Sequence, residues 1–140
     1  VVVVGLISFV SLGSYYTNPR FQREQWRQAI AFVEQQGDTN SLALFVFPDT
    51  FAPWQWYQKG IVPAVGIAPH FVMTSRDLEA KKSIIIGRNK IFLFQYLTEL
   101  TDPQGKTKQF LEAEGYGEKK IIDFPGVGFI YIYEKAFAQS

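Results

Sequence analysis

The chain opens on an apolar run from Val1 to Leu12 (VVVVGLISFVSL) that continues through Tyr15 and Tyr16 into Thr17-Asn18-Pro19. Twelve residues are about half of the roughly 20 that cross a bilayer as a helix. The two tyrosines follow where an interfacial aromatic belt would lie. No basic n-region precedes the run, so it does not resemble an intact signal peptide. We therefore expect residues 1–16 to be the end of a transmembrane helix and residues 17–140 to be a soluble α/β domain. The alternative is a buried β-strand, since valine, isoleucine and phenylalanine favour strands.

The amino-acid composition excludes several classes of protein and of functional site. A chain of 140 residues that is 47% hydrophobic and 16% aromatic can bury a core and does not have the composition of a disordered protein. A formal net charge of +1 provides no basic surface for nucleic acid, so no nucleic-acid partner is expected. The absence of cysteine excludes disulfides, a thiolate nucleophile and a zinc–cysteine site.

A helix is predicted over Pro19–Gln36. Asn18 suits the N-cap and Pro19 the first helical position. Gly37 follows where a helix commonly ends. The helix carries Trp26 and a periodic apolar face.

Strand-like and helix-like segments then alternate, which predicts an α/β fold. We expect a three-layer sandwich of Rossmann-like or flavodoxin-like type, with a mostly parallel sheet and a C-terminal antiparallel hairpin. The apolar runs predict strands at Ser41–Phe47, Val62–Ile67, Lys90–Tyr96, Lys119–Phe124 and Phe129–Tyr133. The remaining patterns predict helices at Pro53–Lys59, from Ser75 to about Ile85 with Ser75 as its cap, and at Gln104–Glu114, with a loop from Thr98 to Pro103.

No catalytic constellation stands out in the sequence. His70 is the only histidine and has no second metal ligand at a suitable spacing, so neither a metal nor a cofactor is predicted. Neither G-x-G motif opens a helix after a strand, as a dinucleotide-binding fingerprint requires; we interpret Gly115-Tyr116-Gly117 as a helix end and Gly126-Val127-Gly128 as a hairpin turn.

Three residues after the first strand are candidates for substrate binding. Asp49 follows the carboxyl end of that strand, where open α/β sheets bind ligands, and could hydrogen-bond a sugar hydroxyl, hold a cation or cap the next turn. Trp54 and Tyr57 follow it, and aromatic rings stack on sugars or lie at membrane interfaces. The alternative is that Trp54 and Tyr57, three residues apart on a short helix, pack on the sheet.

The pattern also resembles a known family. The carrying features are Tyr15-Tyr16-x-Asn18-Pro19, then Glu24-Gln25-Trp26-Arg27, the Pro48, Pro53 and Tyr57 spacing, a strand ending near Tyr96, and Gly115-Tyr116 before a hairpin ending in Tyr133. From Ser14 to Glu134, the chain resembles the C-terminal soluble domain of multi-spanning membrane glycosyltransferases. These are the GT-C type enzymes similar to dolichyl-phosphate-mannose protein mannosyltransferases and aminoarabinose transferases.

The resemblance implies a polyprenyl-phosphate-linked sugar donor and a catalytic acid elsewhere in the parent enzyme, so no catalytic residue is assigned here. It also implies a membrane-anchored chain whose soluble part is periplasmic or otherwise extracytoplasmic. Arg20, Arg23 and Arg27 argue for the opposite orientation. The expected partners are the transmembrane part of the same chain and a membrane lipid or polyprenyl-phosphate sugar. The alternatives are a non-enzymatic interaction module and a free-standing domain that binds a nucleotide or flavin.

Overall fold

The computed structural model describes residues 25–47 and 52–136. The predicted transmembrane end, residues 1–16, and the first turns of the predicted helix Pro19–Gln36 lie outside the described residues. Among the residues it describes, no helix is both long and apolar enough to cross a bilayer. The helices are α1 (Trp26–Gln36), α2 (Ala52–Tyr57), α3 (Ser75–Ile86), α4 (Thr98–Thr101) and α5 (Lys106–Ala113), and the strands are β1 (Ser41–Phe45), β2 (Ala64–Gly66), β3 (Lys90–Phe94), β4 (Tyr116–Phe124) and β5 (Gly128–Lys135).

The strands form one five-stranded mixed sheet in the order β2-β1-β3-β5-β4. Strand β1 pairs in parallel with both β2 and β3. Strand β5 runs antiparallel to β3 and to β4, with which it forms the C-terminal hairpin. The predicted α/β class, the parallel core and the antiparallel hairpin are therefore confirmed.

The continuous apolar run of β1 is explained by burial on both faces of the sheet. All five of its residues are buried, and successive side chains point to opposite faces. Leu42 and Leu44 join an apolar cluster that includes Leu78 of α3 and Leu111 of α5. Ala43 and Phe45 join a second cluster that includes residues Ala29, Ile30 and Val33 of α1. Helices thus cover the parallel core from both sides.

Gly37 ends α1 for a reason other than the predicted one. Its φ of −107° is not left-handed, so glycine is not needed there for backbone freedom. A Cβ atom would instead lie 2.6 Å from Val62 Cγ2 and 2.9 Å from the Phe92 ring. Close approach of the helix end to the sheet therefore selects glycine at this position.

Two local predictions were wrong in detail. The segment from Thr98 to Pro103 was predicted to be a loop but contains the one-turn helix α4, entered through Leu97 at a positive φ of 59°. The N-cap of α3 is Thr74 rather than Ser75, because Thr74 and Asp77 form a reciprocal capping box.

The hairpin also begins earlier than predicted. Strand β4 starts at Tyr116, and Tyr116 pairs with Lys135 near the end of β5. A register shift between Glu118 and Lys120 interrupts the pairing, which is typical of a β-bulge on an edge strand.

Several strand ends and turns of the chain lie together at one edge of the sheet, which we call the carboxyl edge. Strands β1, β2 and β3 end there, and β5 begins there because it is antiparallel. The hairpin turn between Phe124 and Gly128 lies at the same edge. The chain enters α1 at this edge, since the backbone N–H of Gln25 donates to the Pro125 carbonyl at 3.0 Å.

Candidate functional site at the carboxyl edge

The strand order creates a topological switch point between β1 and β3. From β1 the chain adds β2 on one side and then crosses to add β3 on the other side. Helical connections therefore leave β1 and β3 in opposite directions and open a crevice beyond their carboxyl ends. Open α/β sheets bind their ligands in that crevice.

A pocket lies at that position, and we call it the switch-point pocket. Val46 and Leu93 form its apolar floor beyond β1 and on β3. Its polar groups come from the segment after β3, from α5 and from β5. They are Gln95, Thr98, Asp102, Thr107, Lys108 and Tyr131.

Asp102 holds one wall of this pocket in place. Its side chain is only 7% exposed, and its two carboxylate oxygens accept hydrogen bonds from the backbone N–H groups of Lys106 and Thr107, both at 2.8 Å. These are unpaired amides in the first turn of α5, so the carboxylate caps the helix and is favoured by its dipole. The charge of Asp102 is therefore already stabilised by groups of the protein.

Lys108 supplies the positive charge of the pocket. Its ammonium nitrogen lies 3.2 Å from the centre of the Tyr131 ring, a cation–π contact that fixes the half-buried side chain. The Tyr131 hydroxyl donates to Gln95 Oε1 at 3.2 Å, which orients the Gln95 amide. No carboxylate in the described part of the chain forms an ion pair with Lys108.

An apolar strip runs along the same edge. Phe71, Val72, Leu100 and Phe129 are 60%, 54%, 54% and 42% exposed. The loop after β2 and helix α4 are joined where the Met73 N–H donates to the Thr101 carbonyl at 2.9 Å. Leu100 and Phe129 line one groove between α4 and the hairpin turn. We call Phe71, Val72, Leu100 and Phe129 the apolar strip.

Of the three predicted substrate-binding residues, Trp54 and Tyr57 do not line the switch-point pocket. Asp49 lies outside the described residues. Trp54 is only 1% exposed, with its ring against Phe45 and Phe94 at centroid distances of 5.7 and 6.0 Å. Its described position matches the core-packing alternative. Tyr57 is 42% exposed at the end of α2. A substrate-binding role for the three residues stays a prediction.

Other candidates from the sequence lie away from this pocket. His70 is exposed in the loop after β2. No cluster of three or more metal-ligating side chains occurs within residues 25–47 and 52–136. Gly115 ends the segment after α5 at a φ of 83°, while Gly126 and Gly128 form the hairpin turn at 79° and 92°. The helix-end and turn interpretations of both G-x-G motifs agree with these conformations.

Two buried tyrosines are structural. Burial raises the pKa of Tyr116, whose hydroxyl lies within hydrogen-bonding distance of the Ile85 and Arg88 carbonyls at 2.8 and 2.6 Å. Burial also raises the pKa of Tyr133, whose hydroxyl donates to Glu118 at 3.4 Å. Both phenols therefore remain protonated donors at neutral pH. Tyr116 links the hairpin to the end of α3, and Tyr133 links the two strands of the hairpin to each other.

Comparisons with known proteins identify no relative. No family model, no curated protein and no solved structure matches the chain.

Sequence reasoning missed the polar residues of the pocket. Gln95, Lys108 and Tyr131 lie on three different elements, and none belongs to a recognisable motif. One signal was available. Tyr131 interrupts the apolar β5 pattern with a hydroxyl that a half-buried site must satisfy.

Proposed function

We propose that this chain is an extracytoplasmic accessory domain of a membrane glycosyltransferase that uses a polyprenyl-phosphate-linked sugar donor. The domain is not itself catalytic and shapes the entrance for the acceptor or the donor. One observation supports the proposed attachment of the domain to a membrane. Gln25, the first described residue, lies on the same edge as the apolar strip, and the apolar run lies upstream of it in the sequence. The transferase assignment rests on the sequence resemblance.

The carboxyl edge is the proposed membrane-facing side. Four large apolar side chains, two of them aromatic, are exposed on segments at this edge, and exposed apolar surface supports its use as a contact surface. The occupant we propose is the lipid surface, because the 24 residues before Gln25 begin with the apolar run and enter at this edge.

The opposite edge has the character of a water-exposed surface. Lys90 pairs with Glu134 at 3.3 Å, and Arg88 donates to the Thr39 carbonyl at 2.8 Å. Lys135 donates to the Ile86 carbonyl at 2.8 Å. These charged and polar contacts support water exposure of the opposite edge, as expected for a domain that rests on a membrane by its carboxyl edge.

We also propose that the architecture is a three-layer Rossmann-like sandwich. The strand order around β1 and the apolar clusters on both faces of the sheet support it. An experimental structure would contradict this proposal if both helical layers lay on one face.

Lipid contact can be tested by single-cysteine labelling, since the chain has no native cysteine. Leu100→Cys and Phe129→Cys would each carry a fluorophore in the full chain, reconstituted in vesicles containing spin-labelled lipid. We expect strong quenching at both positions. Ile84→Cys is the matched control, because Ile84 is 40% exposed on α3 and should report little quenching. Equal quenching at all three positions, or quenching at Ile84 alone, would refute the proposed orientation.

The transferase role needs an activity assay. In the membrane enzyme that the resemblance implies, Asp49→Asn and Tyr57→Ala should alter the KM for the sugar donor or the acceptor while the protein level stays constant. Trp54 is unsuitable for this assay because its replacement would damage the core. Unchanged kinetic constants for both substrates would remove these residues from the entrance. Absence of any sugar transfer by the membrane enzyme itself would overturn the transferase assignment.

A further inference from the structure

We infer that the switch-point pocket binds a small ligand through a singly charged oxyanion, such as a carboxylate or a phosphodiester. This inference concerns a site that the proposed function does not use, and it stands on the pocket's geometry alone. Its basis is the position of the pocket between the carboxyl ends of β1 and β3, together with the ammonium of Lys108, which pairs with no carboxylate among the described residues.

The ammonium group of Lys108 is preorganised for binding an anion. The Tyr131 ring faces the ammonium of Lys108 at 3.2 Å, but an ammonium has three N–H donors and the ring engages only one side of it. The aromatic contact keeps the side chain in place, so a ligand does not have to order it. This preorganisation lowers the entropic cost of binding.

Neutral donors accompany the charge. The Tyr131 hydroxyl gives its proton to Gln95 Oε1, which leaves both amide hydrogens of Gln95 as donors at the same pocket. Gln95 itself is anchored, since its backbone N–H donates to the Phe129 carbonyl at 2.9 Å and its own carbonyl accepts from the Thr98 hydroxyl at 2.8 Å. An oxyanion can therefore accept from a charged donor and an amide together.

Asp102 adds a negative charge to the pocket, so a bound ligand would meet it as well as Lys108. Its carboxylate lines the same pocket, although the first amides of α5 stabilise it. Attraction to Lys108 and repulsion from Asp102 both grow in proportion to the charge of the ligand, so these two terms do not select its charge. The cost of removing a ligand from water rises with the square of its charge, so a doubly charged phosphate loses more on entering the pocket than a group with a single negative charge. The pocket thus favours a carboxylate or a phosphodiester over a phosphomonoester.

The probes are small ions that differ in one property at a time. Isotope-labelled full-length chain in detergent micelles would be titrated with dimethyl phosphate, acetate and glucose at constant ionic strength, with amide chemical shifts as the readout. We expect Gln95, Thr98 and Lys108 to respond to at least one of the two anions and not to glucose. A response to dimethyl phosphate alone identifies a phosphodiester ligand, and a response to acetate alone identifies a carboxylate.

Substitution tests the role of the cation. Lys108→Met keeps the aliphatic stem over Tyr131 and should raise the dissociation constant of the active probe at least about tenfold. Lys119→Met is the matched control, because Lys119 is exposed on β4 outside the pocket, and its titration should match that of the unaltered chain. Tyr131→Phe keeps the ring but loses the hydroxyl that orients Gln95, and should weaken binding less than Lys108→Met.

Several results would overturn the inference. They are no shift at the pocket with either anion, an equal response to glucose, and a response that survives Lys108→Met. None of them bears on the lipid quenching at Leu100 and Phe129, so failure of the pocket and failure of the membrane orientation are separable.

Discussion

A stability measurement on a Trp54 variant would distinguish a core-packing role of this residue from a substrate-binding role. The sequence offered it both as a substrate contact and as a packing residue. Its ring is 1% exposed and makes edge-to-face contacts with Phe45 of β1 and Phe94 of β3. Those two rings stack on each other at 4.4 Å, so Trp54 completes a three-ring cluster over the parallel core. Trp54→Ala would open a cavity at the centre of this cluster.

The expected loss is large compared with the stability of a domain. Removing a buried tryptophan typically costs about 3–5 kcal/mol, against a typical total stability of about 5–15 kcal/mol. For a domain of this size, 1 kcal/mol corresponds to roughly 3 °C in the melting temperature, so Trp54→Ala should melt about 10–15 °C lower. Its free energy of unfolding should fall by the same 3–5 kcal/mol in urea.

Trp56 provides the control within the same helix. It lies two residues further along α2 and is 82% exposed, so Trp56→Ala should change stability by no more than about 0.5 kcal/mol. Thermal melting followed by far-UV circular dichroism, with urea titration, would measure both variants. A loss below about 1 kcal/mol for Trp54→Ala, or an equal loss for the two variants, would refute the assignment of Trp54 to the core.

Substitutions at three further positions test other parts of the fold. Gly37→Ala should cost about 1–3 kcal/mol in urea unfolding, since the new Cβ would meet Val62 Cγ2 at 2.6 Å; a neutral effect would contradict the close approach. Glu34→Ala should cost about 1–3 kcal/mol, because the buried carboxylate accepts two backbone N–H groups of the segment after α2, and Glu34→Gln should cost less. Hydrogen bonds from Thr74 lower the pKa of Asp77 below 3.8, so this carboxylate stabilises the fold above that pH and the contribution disappears as pH falls through the lower folded-state pKa. Acid unfolding of Asp77→Asn should lack that component, and an unchanged pH profile would contradict it.

The sequence predicted the parts of the fold in which one local pattern decides the structure. The sequences of β1 and β3 are nearly continuous apolar runs, because both faces of the sheet are buried there. Strand β2 was a weak candidate and is only three residues long, consistent with Pro63 at its start. The start of β4 was missed because Gly115-Tyr116-Gly117 was interpreted as a helix end, whereas pairing with the end of β5 extends the strand back to Tyr116.

The candidate site was less predictable because tertiary packing assembles it. Lys108 and Tyr131 are 23 residues apart in sequence, and their contact exists only because β5 inserts beside β3. Sequence order alone would favour β4 as the neighbour of β3. The aromatic residues after β1 were conspicuous in the sequence, yet Trp54 contributes to the core. Conspicuous residue types were thus a poor guide to position, whereas the switch point follows from topology.

The antiparallel hairpin accounts for the difference between the two edges of the sheet. Because β5 runs against β3, the turn from Phe124 to Gly128 lies at the carboxyl edge, where Pro125 binds the backbone of Gln25 and Phe129 extends the apolar strip. The far end of β5 lies at the opposite edge, where Glu134 pairs with Lys90. If β5 ran parallel to β3, its charged end with Glu134 would lie at the carboxyl edge, beside the point where the chain enters α1. The direction of β5 therefore brings the hairpin turn, Phe129 and the entry of the chain to the edge that already carries the switch-point pocket.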